Sequence, residues 1–258
     1  MELEIIFALV TSAFVAGWID AIIGGGGLIL IPTILACVPT IPPATVLGTN
    51  KFAASLGTGS AAISLLRKVP LLKSQKTQLR WLIPTAIIFA ALGAGFAASI
   101  PSNTLRPIVI TLLLGSGLFI AFQPKFGSGT YEPRQISRIQ IFLFFLAAMT
   151  ISLYDGIFGP GTGMFFIIAG TAIYQTSFLK SAVLAKILNF STNLGALIVF
   201  FASGNVSVKL GLMLAVANIL GAQLGARTVL KGGTKFLRYA LLIIVVVLTS
   251  YLIWQQLS

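Results

Sequence analysis

The chain has 258 residues, 57% of them hydrophobic and 9% charged, with a mean hydropathy of +1.02, which excludes a water-soluble domain of this size. Its formal charge of +12 comes from 17 basic residues that fall mostly in short connections between apolar runs, so the positive-inside rule accounts for it and a nucleic-acid partner is excluded. There is no histidine, which excludes histidine metal sites and proton relays, and Cys37 is the single cysteine, so no intramolecular disulfide forms.

Apolar runs near 20 residues recur along the whole length, which predicts an all-α, polytopic membrane protein. A transmembrane barrel would show short alternating segments instead. The first run, "MELEIIFALV", opens with Glu2 and Glu4 rather than with a basic stretch and a cleavage site, and is expected to be an uncleaved helix. In chain order the predicted elements are Leu3–Ile23, Leu28–Val38, Ala44–Leu66, Gln78–Ser99, Thr104–Phe122, Ile139–Phe158, Gly163–Tyr174, Phe178–Ala202, Val206–Ala226 and Lys235–Gln255. The second and seventh are 11 and 12 residues long. At about 1.5 Å per residue, each covers only about half of a roughly 30 Å hydrocarbon core.

The chain repeats internally. A shift of 135 residues places Asp20 on Asp155, Gly24 on Gly159, Gly26 on Gly161, Lys51 on Lys186 and Ala61 on Ala196. A shift of 132 then places Gly93 on Gly225 and Leu105-Arg106 on Leu237-Arg238. The chain has two aspartates, and this shift superposes them. Two homologous repeats are therefore expected, residues 1–122 and 139–258, joined by a linker at 123–138. Five elements per repeat is an odd number, so the second would enter the membrane with opposite orientation, as in the inverted repeats of many secondary transporters.

Charge supports that topology. The stretch Arg67–Arg80 carries Arg67, Lys68, Lys73, Lys76 and Arg80, which places it in the cytoplasm. Counting crossings forward, the linker with Lys125, Arg134 and Arg138 is also cytoplasmic, as is Arg227–Lys235 with Arg227, Lys231 and Lys235. The opposite side has only Arg106 and Lys209 nearby. Both termini then face away from the cytoplasm. Arg106 and Arg238 are expected to be interfacial anchors.

Only two acidic residues, Asp20 and Asp155, lie inside apolar runs. A charge at the bilayer centre costs at least about 2.5–3.5 kcal/mol on insertion scales. Each aspartate stands four residues before a glycine turn, so capping the next helix is one role open to it. Coupling to a proton or cation, or gating through a salt bridge, is the other. Lys51 and Lys186 are the matching cations, with snorkelling to the interface as their bland alternative. Asn50 precedes Lys51, while Asn189 and Asn193 share the helical face of Lys186 at i+3 and i+7. The glycine runs "GGGG", including Gly25, Gly26 and Gly27, and "GPGTG", including Gly161, Thr162 and Gly163, each precede a half-length helix. Exposed amides at such a terminus, with a lysine nearby, suit a small anion without a cofactor or metal. Small residues at helix crossings are the alternative for both runs. Inversion also pairs each aspartate with the lysine of the other repeat, Asp20 with Lys186 and Asp155 with Lys51.

The segments "GWIDAIIGGGGLILIP", "GTNKFAAS", "YDGIFGPGTGMF" and "AKILNFSTNLGAL" resemble the paired signatures of the TauE/SafE family, bacterial sulfite and organosulfonate exporters that include four-toluene sulfonate uptake-type transporters. The resemblance covers nearly the whole chain. It implies a multi-pass transporter of the bacterial inner membrane for small sulfur-containing anions such as sulfite or C2 organosulfonates. The repeats are unequal, since Asn50 has no counterpart in "LAK", and Asn189 and Asn193 fall on Ala54 and Thr58. Alternating-access transport with protons as a candidate coupling ion is the favoured function, and a homo-oligomer stays open. An anion channel is the runner-up. An intramembrane enzyme is disfavoured, because two isolated aspartates and one cysteine supply no nucleophile with its base.

Overall fold

The computed structural model describes residues 2–71, 73–121 and 136–231. Among the described residues the fold is all-helical: α1 (Leu3–Ile23), α2 (Gly27–Cys37), α3 (Pro43–Lys68), α4 (Lys73–Ser99), α5 (Ser102–Ala121), α6 (Arg138–Ile157), α7 (Thr162–Ile173), α8 (Phe178–Ala202) and α9 (Val208–Leu230). The tenth predicted segment with Arg238, and the linker from 123 to 135, lie outside the described residues.

Local sequence sets the helix ends. α1 stops where Gly24 takes a left-handed conformation (φ 81°) that a side chain would resist, and the Gly24 amide donates to the Asp20 carbonyl at 2.8 Å. α3 begins with proline at its first position, where the missing N–H costs nothing. α6 begins with a reciprocal cap, the Gln140 amide donating to Ser137 Oγ and the Ser137 amide to Gln140 Oε1. The predicted connections are too long in two places. Arg67 and Lys68 extend α3, and Lys73, Lys76 and Arg80 lie in the first turns of α4, so the basic loop shrinks to a few residues. Arg227 likewise belongs to the last turn of α9. Straight-chain Lys and Arg are good helix formers, and an end that emerges from lipid keeps its helical hydrogen bonds through them.

Among the described residues, five helices are long and apolar enough to cross a membrane: α1, α4 over Gln75–Ser99, α6, α8 and α9. Their outward faces carry Phe7, Trp81, Leu92, Phe96, Phe142, Val216 and Leu220 in the open, as a lipid solvent permits. The chain is a polytopic membrane protein.

Six of the long helices among the described residues pack in a row, α1–α9–α3–α8–α4–α6, and α5 stands beside it against α3. The row is unchanged when read from the other end with α1 exchanged for α6, α9 for α4 and α3 for α8. The half-helix α2 packs on α1 and α3, as α7 packs on α6 and α8. Leu3 to Arg138, Gly27 to Thr162 and Pro43 to Phe178, the starts of the corresponding helices, are each 135 residues apart. Equivalent glycines make equivalent crossings. A Cβ on Gly225 would strike the Trp18 carbonyl, and one on Gly93 would strike the Leu153 carbonyl. Close backbone approach through small residues is how helices associate where lipid removes the hydrophobic drive.

Candidate functional site

The two glycine turns meet. Gly24 lies so close to Gly163 that a Cβ on either would overlap the other's backbone, and Gly27 packs on Pro160. Both turns therefore end in the interior, at the contact between α1–α2 on one side and α6–α7 on the other. The turns are not copies. Gly24 and Gly159 both have positive φ, but Gly161 is left-handed (φ 86°) where its counterpart Gly26 is right-handed (φ −57°).

Around this contact stand four charges, three of them buried and Asp20 part-buried. Lys51 Nζ donates to Asp155 Oδ2 at 2.6 Å, and both side chains are 1% exposed. Lys186 Nζ lies 3.3 Å from Asp20 Oδ2 and also donates to the Asp20 backbone carbonyl. Lys186 is fully buried, while Asp20 is 15% exposed. The cross-repeat pairing expected from inversion is thus the pairing found. Snorkelling is excluded for both lysines, because each ammonium ends on a carboxylate of the other repeat.

The carboxylates are held further. Asp20 Oδ2 accepts from Thr58 Oγ1 at 3.2 Å, and Asp20 Oδ1 from the Gly26 amide at 3.4 Å. Asp20 therefore caps the turn before α2 and pairs with Lys186 together; the two roles are compatible. A Cβ on Gly159 would lie 2.6 Å from Lys51 Nζ and 3.2 Å from Asp155 Oδ1, so that glycine makes room for the first pair. Thr162 Oγ1 closes on the Gly159 carbonyl at 2.6 Å.

The polar stripe of α8 reaches the same centre. A Cβ on Gly163 would lie 3.3 Å from Asn189 Nδ2 and 3.4 Å from Lys186 Nζ. Asn193 Nδ2 donates to Asn189 Oδ1 at 3.4 Å, continuing the stripe along one face. Asn50 is buried beside Lys51 in sequence, but its side chain hydrogen-bonds to none of the described residues. The Gly25 carbonyl accepts from the Leu28 amide and the Gly161 carbonyl from the Met164 amide, so both turns feed directly into their half-helices. The first amides of each half-helix have no i−4 acceptor, as at any N-terminus, and some are taken locally: the Gly26 amide donates to Asp20 Oδ1 and the Thr162 amide to the Gly159 carbonyl. Their partial positive charge adds to that of the lysines.

Sequence reasoning passed over Tyr154. Its hydroxyl donates to the Pro160 carbonyl at 2.8 Å and pins the second glycine turn. The signal was present in "LYDG", a hydroxyl beside the aspartate where the first repeat has Ile19, but it has no repeat partner to mark it.

The family described as sulfite exporter TauE/SafE matches residues 9–252. The chain is similar to a "Probable membrane transporter protein ORF9" of a Sinorhizobium species, 37% identical over 95% of this chain and 91% of that one. It is similar also to a "Probable membrane transporter protein" of Haemophilus influenzae, at 35% identity over 98% and 96% of the two chains. A third relative is "Probable membrane transporter protein YfcA" of Escherichia coli K12, at 34% over 95% and 88%. No solved structure matches.

Proposed function

The chain belongs to the sulfite exporter TauE/SafE family, and from that membership we propose that it is a secondary transporter exporting small sulfur-containing anions, sulfite or C2 organosulfonates, across the bacterial inner membrane. The observation that carries the proposal is the convergence of two cross-repeat ion pairs, Lys51–Asp155 and Lys186–Asp20, on the contact between the two glycine turns.

A buried ammonium whose counter-ion comes from the other repeat suits a switch. An incoming anion competes with the carboxylate for the ammonium, and winning that competition releases one repeat from the other. The Lys186–Asp20 pair is the one that yields, because it is longer and Asp20 is the more exposed carboxylate. The arriving anion takes Lys186 Nζ, with Asn189, Thr162 and the amides of Gly161 and Gly163 around it. Asp20, freed from the ammonium, keeps Thr58 and the Gly26 amide and accepts a proton. Lys51–Asp155 meanwhile holds the opposite side shut. Gly25, Gly26 and Gly27, with Asn50 and Asn193, serve the same anion on its way through. The exchange-symmetric helix row supports two inverted repeats, 1–122 and 139–258, around a cytoplasmic linker, with both termini outside and alternating access through their relative motion.

The test is flux of radiolabelled sulfite in proteoliposomes of the purified protein, with and without an imposed pH gradient. Wild-type flux should rise with the gradient, and Asp20→Asn should abolish that response while keeping residual sulfite exchange. Flux indifferent to the gradient in the wild type would show uncoupled permeation, and unchanged coupled flux in Asp20→Asn would remove Asp20 from the mechanism.

A further inference from the structure

Between the first turns of α4 and α6 and the end of α7 lies a groove of about 310 Å3. Leu82, Phe142 and Phe145 give it apolar walls, and Trp81 and Arg138 stand at it. Its floor is fixed. The Tyr174 ring stacks on Phe144 with centroids 4.2 Å apart, the Tyr174 hydroxyl donates to Gln78, and Gln140 Nε2 donates to the Ile173 carbonyl at 2.7 Å. Arg80 lies over Trp81, 5.6 Å from the ring centroid. The groove thus has an apolar body, the exposed Arg138 in its lining and the exposed Arg80 stacked on its Trp81.

A second groove of about 380 Å3 is its counterpart in the other repeat. Ile6 replaces Ile141 at a shift of 135, and Leu210 and Met213 replace Gln78 and Trp81 at a shift of 132. The charges differ. Arg138 has Leu3 as its counterpart, with Glu2 and Glu4 beside it in sequence, and Lys209 is the one charged residue in that groove's lining. Both grooves are apolar with a basic residue in the lining, but Arg138, Arg80 and Trp81 have Leu3, Leu212 and Met213 as their counterparts, so the arginines and the tryptophan are specific to the first.

We propose that the first groove is a binding site for one anionic phospholipid. An acyl chain lies along Leu82, Phe142 and Phe145, and the headgroup phosphate meets Arg138 and Arg80 where α6 begins. Three features support this occupant. The groove opens on outward faces that the protein gives to lipid, and the basic ends of α3, α4 and α6 put it on the cytoplasmic side by the positive-inside rule. Basic pockets between transmembrane helices on that side suit anionic headgroups. The N-terminus of α6 adds its own partial positive charge beneath Arg138. A protein segment fits less well, since the linker leading to Arg138 carries Lys125 and Arg134 against Glu132 and would bring further positive charge to Arg80 and Arg138. This proposal stands whatever the transported anion is.

The probe is Trp81 itself. In the full chain, Trp18→Phe and Trp254→Phe leave Trp81 as the sole tryptophan. Reconstituted in vesicles, its fluorescence is titrated with brominated phosphatidylglycerol and, separately, with brominated phosphatidylcholine. Phosphatidylglycerol should quench at lower content, and Arg80→Gln with Arg138→Gln should shift that preference by about fivefold per arginine, roughly 25-fold together. The Arg80→Lys, Arg138→Lys pair should retain most of it, and inorganic phosphate should not relieve the quenching. Equal quenching by both lipids, a preference untouched by the glutamine variants, relief by inorganic phosphate, or absence of quenching by either lipid would each overturn the proposal.

Discussion

Replacing Lys51 by methionine keeps the length of the buried stem and removes its charge. Asp155 is then left 1% exposed with no counter-ion. At 2.6 Å and an effective dielectric near 20, the lost attraction is about 6 kcal/mol before desolvation, against about 5 kcal/mol for the 3.3 Å pair of Lys186 with Asp20. Distance alone therefore separates the pairs by only about 1 kcal/mol. Exposure separates them further, because Asp20 sees solvent and keeps Thr58 and the Gly26 amide when its lysine leaves. Removing one partner of a fully buried pair costs about 3–5 kcal/mol. Lys51→Met should reach that range and Lys186→Met should fall below it. For a chain of this size each kcal/mol moves the melting midpoint by about 2–4 °C, so Lys51→Met should melt roughly 6–20 °C lower than the wild type. The assay is thermal unfolding of the detergent-purified protein followed by intrinsic fluorescence. Adding Asp155→Asn should restore most of the loss, because the double variant buries no charge. If Lys51→Met melts with the wild type, or if Asp155→Asn recovers nothing, the buried pair does not hold the repeats together.

Gly24→Ala must place a side chain at φ 81° and against the Gly163 backbone, so it should lose more than the roughly 1–2 kcal/mol of left-handed strain alone and lose transport with it; melting and flux read both. Tyr154→Phe removes one hydrogen bond to the Pro160 carbonyl and should cost about 1 kcal/mol in melting while slowing flux, whereas unchanged flux would show that the second turn needs no pin. Asn189→Leu leaves both ion pairs intact and should raise the half-saturating concentration of the anion in the flux assay with little change in melting. Gly93→Val and Gly225→Val drive side chains into the Leu153 and Trp18 carbonyls at equivalent crossings, and both should reduce the yield of monodisperse protein on size-exclusion chromatography.

The helices were legible because their causes are local. A run of apolar residues that must satisfy its backbone in lipid becomes a helix, and a glycine turn, a proline at the first position or a serine cap ends or begins it, so α1, α2, α3, α6, α7 and α8 fall within a few residues of their predicted bounds. An internal similarity was legible in the spacing of two aspartates and two lysines, and the expectation of an inverted repeat implied which lysine each aspartate would meet. Packing decided the rest. The partners lie 104 and 166 residues apart in the chain, and no local property states that one pair is sealed at 2.6 Å while the other sits at 3.3 Å with Thr58 on its carboxylate. Nor does "GPGTG" announce that its second glycine, Gly161, turns left-handed where the matching Gly26 of "GGGG" does not. Tyr154 and the Arg80, Trp81 and Arg138 of the first groove stayed hidden because none of them has an equivalent in the other half of the chain. Sequence similarity between halves reveals what the repeats share, whereas differences between them acquire meaning only once close packing sets each side chain against a particular neighbour.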